Sequence, residues 1–348
     1  MRVLLTGGAG YVGSTCFRHL RREGIEAFVL DDLSEGHAAA VEPDRLDVAD
    51  LRDTDRVARV LRDRDITHVM HFAAKTSVPE SVCDPSGYWS VNVDGSRSLL
   101  EAMRSTGVGR LVFSSTAAVY AHGLDRPIRE ADPIVPATPY GTSKLAVEHL
   151  LQGYADAYGL GGTALRYFNA SGAEEDGRHG ESHRTETHVI PLIFQTALGQ
   201  RSRFAIYGDQ WPTPDGTCIR DFVSVRDLAA AHLLALRQVE PGRFSCYNLG
   251  SGRPTSVRQL LDASARVCGR PIPHAVSPAR PGDPAVLVAD IAHARTELGW
   301  SPQWSDISQV LTSAWAWHST GGAYASAISG EISGEMRTQR ARSRAAGQ

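Results

Sequence analysis

The sequence predicts an α/β protein in which a doubly wound parallel sheet is followed by a smaller, mixed C-terminal part. Three observations carry this. Short β-rich runs alternate with longer helical ones through the first half, as βαβ units under helices on both faces require. A glycine-rich turn joins the first strand to the first helix. After about Asn169 the alternation loosens into long connections such as "SGAEEDGRHGESHRTETH" and "GDQWPTPDGT", and irregular segments of that length are commonly functional.

In order, "RVLLT", "EAFVL", "THVMHF", "RLVFSS" and "GGTALRYFN" read as strands. Between them lie helices from Tyr11, near "LRDTDRVARVLRD", near "SVNVDGSRSLLEAMRS", and in "ATPYGTSKLAVEHLL". A Pro opens the last of these, and its Ala, Leu, Val and Leu recur at helical spacing. Residues 1–169 are thus one nucleotide-binding unit carrying the catalytic groups. Residues 170–318 are mainly a substrate-binding part, some of whose segments can return to the first sheet. Residues 319–348, rich in small residues and ending among arginines, are expected to be disordered.

A chain of 348 residues can bury a full core. Its five cysteines are scattered and include no CxxC pair, so neither a disulfide framework nor a zinc site is suggested and no metal is expected. The net charge of −3 gives no reason to expect nucleic acid or an anionic membrane as partner. No apolar run is long enough to span a membrane, and "MRVLLTGGAG" turns to glycine too soon for a signal peptide. The cytoplasm is the expected setting.

"LLTGGAGYVGS" satisfies both Gly8-x-Gly10-x-x-Gly13 and Gly7-x-x-Gly10-x-x-Gly13. Such glycines permit a tight turn and close approach of a pyrophosphate to a helix N-terminus, here at Tyr11 and Val12. The placement between strand and helix makes this a Rossmann-type motif. Asp31, followed by Asp32, closes the second strand 18 positions after Gly13; its carboxylate would accept from a ribose hydroxyl and repel a 2′-phosphate, favouring NAD over NADP. Asp47, with Val48 next to it, is placed at the adenine edge. Phe72, Ala73 and Ala74 lie at a strand's carboxyl end, where the cofactor should pass. Asn92, inside an apolar helix, is either a cofactor contact or a satisfied buried amide.

Tyr140 and Lys144 are about one helical turn apart and leave the same face. An ammonium beside a phenol should lower its pKa toward a useful range. "RLVFSSTAAVY" ends a strand in Ser114, Ser115 and Thr116, on the sheet edge where ligands gather. Together these residues resemble the extended short-chain dehydrogenase/reductase family. The resemblance implies that Tyr140 is the acid/base, Lys144 its partner and a ribose ligand, Thr116 a ligand of the same substrate oxygen, and Ser114 and Tyr167 neighbours of the cofactor. Relatives that dehydrate or decarboxylate carry an acidic residue after the hydroxyl; here stand Ala117 and Ala118. Oxidation and re-reduction of one carbinol is the chemistry left.

Further on, "LRYFNASGA", "ETHVIPL", "AIYG", "PDGTCIRDF", "VRDLAAAH", "YNLGSG" and "RPGD" fall in the order seen in UDP-galactose 4-epimerases, a resemblance running to about His318. It implies epimerisation of UDP-glucose and UDP-galactose at C4 through a 4-keto sugar. A 4-epimerase of UDP-glucuronate, a UDP-pentose or another nucleotide sugar is one alternative, and a non-catalytic NAD-sensing protein on the same fold is the other. It also implies substrate contacts from Asn169, His188, Val189, Ala205, Ile206, Tyr207, Arg220, Phe222, Arg280 and Asp283, with Leu287 as a gate beside the sugar's 2-substituent. A homodimer through the helix after "PSGYWSVNVDGS" and the Tyr140 helix is likewise implied. The chain departs from the pattern at Lys75, one position early for a cofactor lysine, and at Phe222 and Ser224.

Overall fold

Val3, Leu4 and Leu5 are buried on both faces of their strand, as helices on either side of a parallel sheet demand. The computed structural model describes residues 1–121, 123–124, 126–280 and 282–321. The chain runs β1 (Arg2–Thr6), α1 (Tyr11–Arg22), β2 (Glu26–Asp31), β3 (Leu46–Val48), α2 (Thr54–Asp63), β4 (His68–His71), α3 (Val78–Cys83) and α4 (Pro85–Tyr88). A π-helical turn, Trp89–Asp94, leads into α5 (Gly95–Thr106), then β5 (Arg110–Thr116), α6 (Pro139–Tyr158), β6 (Gly161–Tyr167) and β7 (Asn169–Ser171). The second half holds α7 (Val189–Ala197), β8 (Phe204–Tyr207), β9 (Ile219–Ser224), α8 (Val225–Gln238), β10 (Phe244–Leu249) and β11 (Pro254–Ser256). It closes with α9 (Val257–Cys268), β12 (His274–Ser277), β13 (Val286–Leu287), α10 (Ala292–Thr296) and α11 (Ile307–Ser319). The tail expected to be disordered lies, from residue 322 onward, outside the described residues.

Seven strands form one parallel sheet in the order β10-β6-β5-β4-β1-β2-β3. The chain reverses direction across the sheet between β1 and β4, which creates a crevice at their carboxyl ends. One core layer packs α1 and α8 on the sheet through Phe17, Leu20, Leu228 and Leu236; the other packs α2, α5 and α6 through Val57, Leu99, Met103 and Leu151. The last strand, β10, returns from beyond residue 240 to lie beside β6, with Phe244 opposite Gly162 and Leu249 opposite Tyr167.

A smaller body stands against the carboxyl edge of this sheet. Its core joins α7, α9 and α11 through Ile193, Phe194, Leu260 and Leu311. Around it, β9 pairs with β7, β11 and β13, and β8 pairs with β12. Among the described residues no helix is long and apolar enough to cross a membrane.

Candidate active site

The glycine turn lies at the mouth of the crevice. Gly7 has φ of +69°, and a Cβ there would strike the backbone of Ala73, so β1 and β4 end in direct backbone contact. Gly10 is different. A Cβ on it would meet only Gly7 O at 3.5 Å, an ordinary contact, so the protein's own packing does not demand glycine there. Helix α1 starts at Gly10 with no side-chain cap. An uncapped helix end behind a residue kept small for no internal reason is an arrangement that can receive a pyrophosphate, at the turn of Gly7, Gly10, Tyr11, Val12 and Gly13.

Asp31 ends β2 beside this turn. Its Oδ2 accepts from Ala9 N at 2.9 Å and its Oδ1 from Leu33 N at 2.9 Å. Burial pushes the carboxyl above its usual value, and the two backbone N–H groups pull it partly back. Each oxygen keeps a lone pair for a ribose hydroxyl. Asp32 instead binds Ser34 N and Oγ. Val48 lies opposite Asp31 and is exposed. Asp47 sits on the other face of β3, where Arg56 at 3.3 Å and Arg64 at 3.2 Å take its two oxygens. Each of those oxygens keeps a further lone pair, so the two ion pairs orient the carboxylate without using up its acceptor capacity.

Asn92 proves to be a brace. It is 1% exposed; its Oδ1 accepts from Lys75 N at 2.8 Å, and its Nδ2 donates to Lys75 O at 3.1 Å and Ser143 Oγ at 3.0 Å. The amide thus ties the loop after Ala74 to the helix of Tyr140, and its hydrogen-bonding capacity is largely spent on protein. Lys75 Nζ points away, to Glu80 at 2.7 Å and Asp84 at 3.6 Å.

Helix α6 begins at Pro139, with Thr138 Oγ1 capping Gly141 N. A Cβ on Gly141 would collide with Ala118 O, so glycine lets α6 lean on the turn after β5. This sets Tyr140 beside Thr116: burial raises the phenol's pKa, and the Thr116 hydroxyl, a smaller influence, lowers it. Lys144 is 2% exposed, donates to Ser114 O at 2.6 Å and lies 4.6 Å from the Phe113 ring centre. Burial lowers it to about 7, against a smaller opposing pull from Glu148. Burial thus raises the phenol, and the Lys144 amine is turned to the Ser114 carbonyl.

Several neighbours escaped the sequence reading. His232 of α8 stands between Phe72, at 4.8 Å between ring centres, and Tyr167. Its burial lowers it to about 4, so it is neutral; Nδ1–H donates to Leu228 O at 2.9 Å, and Nε2 accepts from Tyr167 OH at 2.5 Å. Behind Thr116, Ser115 donates to Glu148, which pairs with Arg166 at 2.6 Å, both 3% exposed. Arg166 in turn donates to Tyr120 OH at 2.7 Å. Only the isolated His in "VRDLAAAH" was a signal available beforehand.

At the substrate end, β8 alternates. Ala205 and Tyr207 face outward, whereas Ile206 is 1% exposed in the core. Phe222 is likewise core, packed with Ile190 and Phe194. Alternation along β8 turns Ile206 inward, and Phe222 lies in the continuously buried stretch Asp221 to Ser224 of β9, so neither side chain faces the surface. Arg280 lies 3.8 Å from the centre of the Tyr207 ring. Arg220 donates to Pro284 O at 2.8 Å and lies 3.7 Å from Asp283. Leu287, opposite Arg220 on β13, packs on the cluster of Ala117, Val119 and Tyr120 that follows Thr116. Asn169 Nδ2 donates to Asp221 O at 2.8 Å. Val189 opens α7 against the core, and His188 turns to Glu181 and Glu186.

A doubly wound sheet with a glycine turn and a Thr/Tyr/Lys set at its carboxyl edge defines an NAD-dependent short-chain dehydrogenase/reductase site. The chain belongs to the NAD-dependent epimerase/dehydratase family, whose model matches residues 3–250. Within it, the UDP-glucose 4-epimerase of Streptomyces lividans is 47% identical over 321 residues, covering 92% of this chain and 96% of that protein. The structure of UDP-glucose 4-epimerase from Brucella ovis in complex with NAD superposes with a TM-score of 0.87 at 42% identity, covering 90% and 97% of the two chains. That of the Bifidobacterium longum enzyme in complex with NAD+ and UDP gives 0.87 at 33% identity, covering 92% and 98%.

Proposed function

We propose that this protein is an NAD-dependent epimerase that interconverts UDP-glucose and UDP-galactose at C4. The observation that carries the reading is that Gly141 lets α6 lean on the turn after β5, which sets Tyr140 near Thr116 at the carboxyl end of the sheet, with only Ala117 and Ala118 after the threonine. No further proton-transfer group stands where elimination or decarboxylation would need one.

Bound NAD+ supplies a hydride acceptor that later returns the hydride. Tyr140 takes the proton of the sugar 4-hydroxyl and restores it in the reverse step. Thr116 bonds the same oxygen. Lys144 has three N–H donors and uses one on Ser114 O, so two remain for the phenol and a ribose. The oxidised sugar turns about its link to the diphosphate and presents its other face.

The gripping end is proposed to be the nucleotide. Tyr207 offers a ring to stack on uracil, Arg220 and Arg280 neutralise the diphosphate, and Asp283 accepts from ribose. A homodimer through α5 and α6 is part of the reading; a monomeric mass by light scattering at micromolar concentration would contradict it. The central test is chromatographic. The purified protein, given UDP-galactose and no added cofactor, should form UDP-glucose, and a parallel run with UDP-glucuronate and a UDP-pentose ranks the sugars. No product from any donor would overturn the reading.

A further inference from the structure

The connection between β7 and α7 gathers Glu181, His183, Glu186 and His188, the last next to Val189 at the start of α7. One donor atom from each lies within 4.8 Å of the other three. We propose that these four side chains bind one divalent transition-metal ion, zinc by preference.

The spacing suits a cation better than four independent groups. Tetrahedral zinc with bonds of about 2.1 Å sets its ligand atoms about 3.4 Å apart. His183 Nδ1 is 3.5 Å from Glu181 Oε1 and 3.4 Å from Glu186 Oε2. His188 Nδ1 is 2.5 Å from Glu181 Oε1, so that pair must part to admit the ion.

An independent observation points the same way. Glu181 is 4% exposed, and its Oε1 has no hydrogen-bond partner. His188 Nδ1 is close to it but misaligned for donation, as two ligands aimed at a common third point would be. A buried carboxylate oxygen met by imidazole nitrogens without an aligned hydrogen bond is incompletely satisfied, and a metal ion between them would satisfy it.

The surroundings hold the ligands in place. Glu186 Oε1 accepts from the backbone N–H groups of Thr187 at 2.8 Å and His188 at 2.7 Å, leaving Oε2 toward His183. Outer bonds of this kind orient ligating carboxylates. Trp317 of α11 donates to Glu181 O at 2.8 Å, and Ser182 O bonds to His37 at 3.0 Å, so both flanks of the segment are tethered. Two imidazoles with two carboxylates select a borderline ion such as zinc over calcium or magnesium, which take oxygen sets. One divalent ion with two neutral imidazoles balances the charge. The rival arrangement is an ion-pair network with a proton on each imidazole.

The experiment takes the full-length protein, dialysed against a chelator, and titrates it with zinc by calorimetry alongside His183→Ala and the double variant His183→Ala/His188→Ala. The expected result is one zinc per chain, weakened at least ~10-fold by His183→Ala and lost in the double variant. Cobalt(II) in place of zinc should give the visible bands of a four-coordinate site without thiolate charge transfer. Glu186→Gln, which keeps size and shape, serves if the histidine variants do not fold, and should weaken zinc comparably. Zinc uptake equal in wild type and variants, or thiolate bands from the cysteines, would overturn the site. No uptake at all would establish the ion-pair network instead.

Discussion

Lys144 donates to the main-chain carbonyl of Ser114 at 2.6 Å, which fastens the helix of Tyr140 to the strand that ends in Thr116. The relative positions of Tyr140 and Thr116 are thus set by a side-chain-to-backbone bond. Tyr140 and Thr116 meet because α6 is held at that height on β5.

Tyr140→Phe should keep the fold and NAD retention, since the ring remains edge-on to Tyr88 at 6.5 Å. Turnover should fall by ~10²–10⁴-fold, the usual contribution of a general acid/base. Steady-state rates beside the ultraviolet spectrum of retained cofactor check this, and near-wild-type turnover would refute the role.

Asn92→Ala removes the donors and acceptor that join Lys75 to Ser143. Leaving such partners unpaired in a buried site costs about 1–3 kcal/mol. Denaturant unfolding should show a loss of that size, together with a lower rate. A stability within a few tenths of wild type would mean that water replaces the amide.

Burial lowers His71 to about 3, with its nitrogens on Thr6 at 2.7 Å and Ser96 at 2.8 Å. The unfolded chain protonates this histidine near pH 6.5, whereas the folded chain does so only near 3. Its stability contribution is therefore complete above 6.5 and lost as pH falls toward 3, by about 1.4 kcal/mol per pH unit. His183 and His188, both raised, act in the opposite sense, so the comparison is made against His71→Gln, in which they are unchanged. Between pH 6.5 and 4.5 the wild type should lose stability more steeply than the variant; parallel curves would refute the assignment.

Leu287 packs on the cluster of Ala117, Val119 and Tyr120, the residues that follow Thr116 in sequence. An acetamido group must displace this branched side chain, and overpacking of that kind costs about 1–3 kcal/mol. Leu287→Ala should raise turnover of UDP-N-acetylglucosamine relative to UDP-glucose by roughly ten- to hundredfold without loss of NAD. An unchanged ratio between the two donors would remove residue 287 from the gate.

What was legible in the sequence was local. Gly7, Gly10 and Gly13 declare a turn by their own spacing, and Tyr140 and Lys144 declare a shared face because one helical turn fixes it. Where a side chain's direction depends on pairing with a distant strand, the sequence is mute. Ile206 and Phe222 look like their substrate-facing neighbours until β8 meets β12 and β9 meets β7. His232 reaches Tyr167 across the fold, and Lys144 has two plausible partners until the height of α6 on β5 is known. The return of β10 was foreseeable only as a possibility, because nothing in "FSCYNL" names the strand it joins.

That return governs how the protein can be made. Until Leu249 has left the ribosome, β6 has one open edge, with the unpaired N–H and C=O groups of Gly162 to Tyr167 exposed to any neighbouring nascent chain. A fragment ending near residue 169 would carry every residue proposed for the chemistry and still lack the strand that closes its sheet. The nucleotide-binding half is thus complete only after much of the substrate half has been translated, so the two are not separable modules for expression or domain exchange.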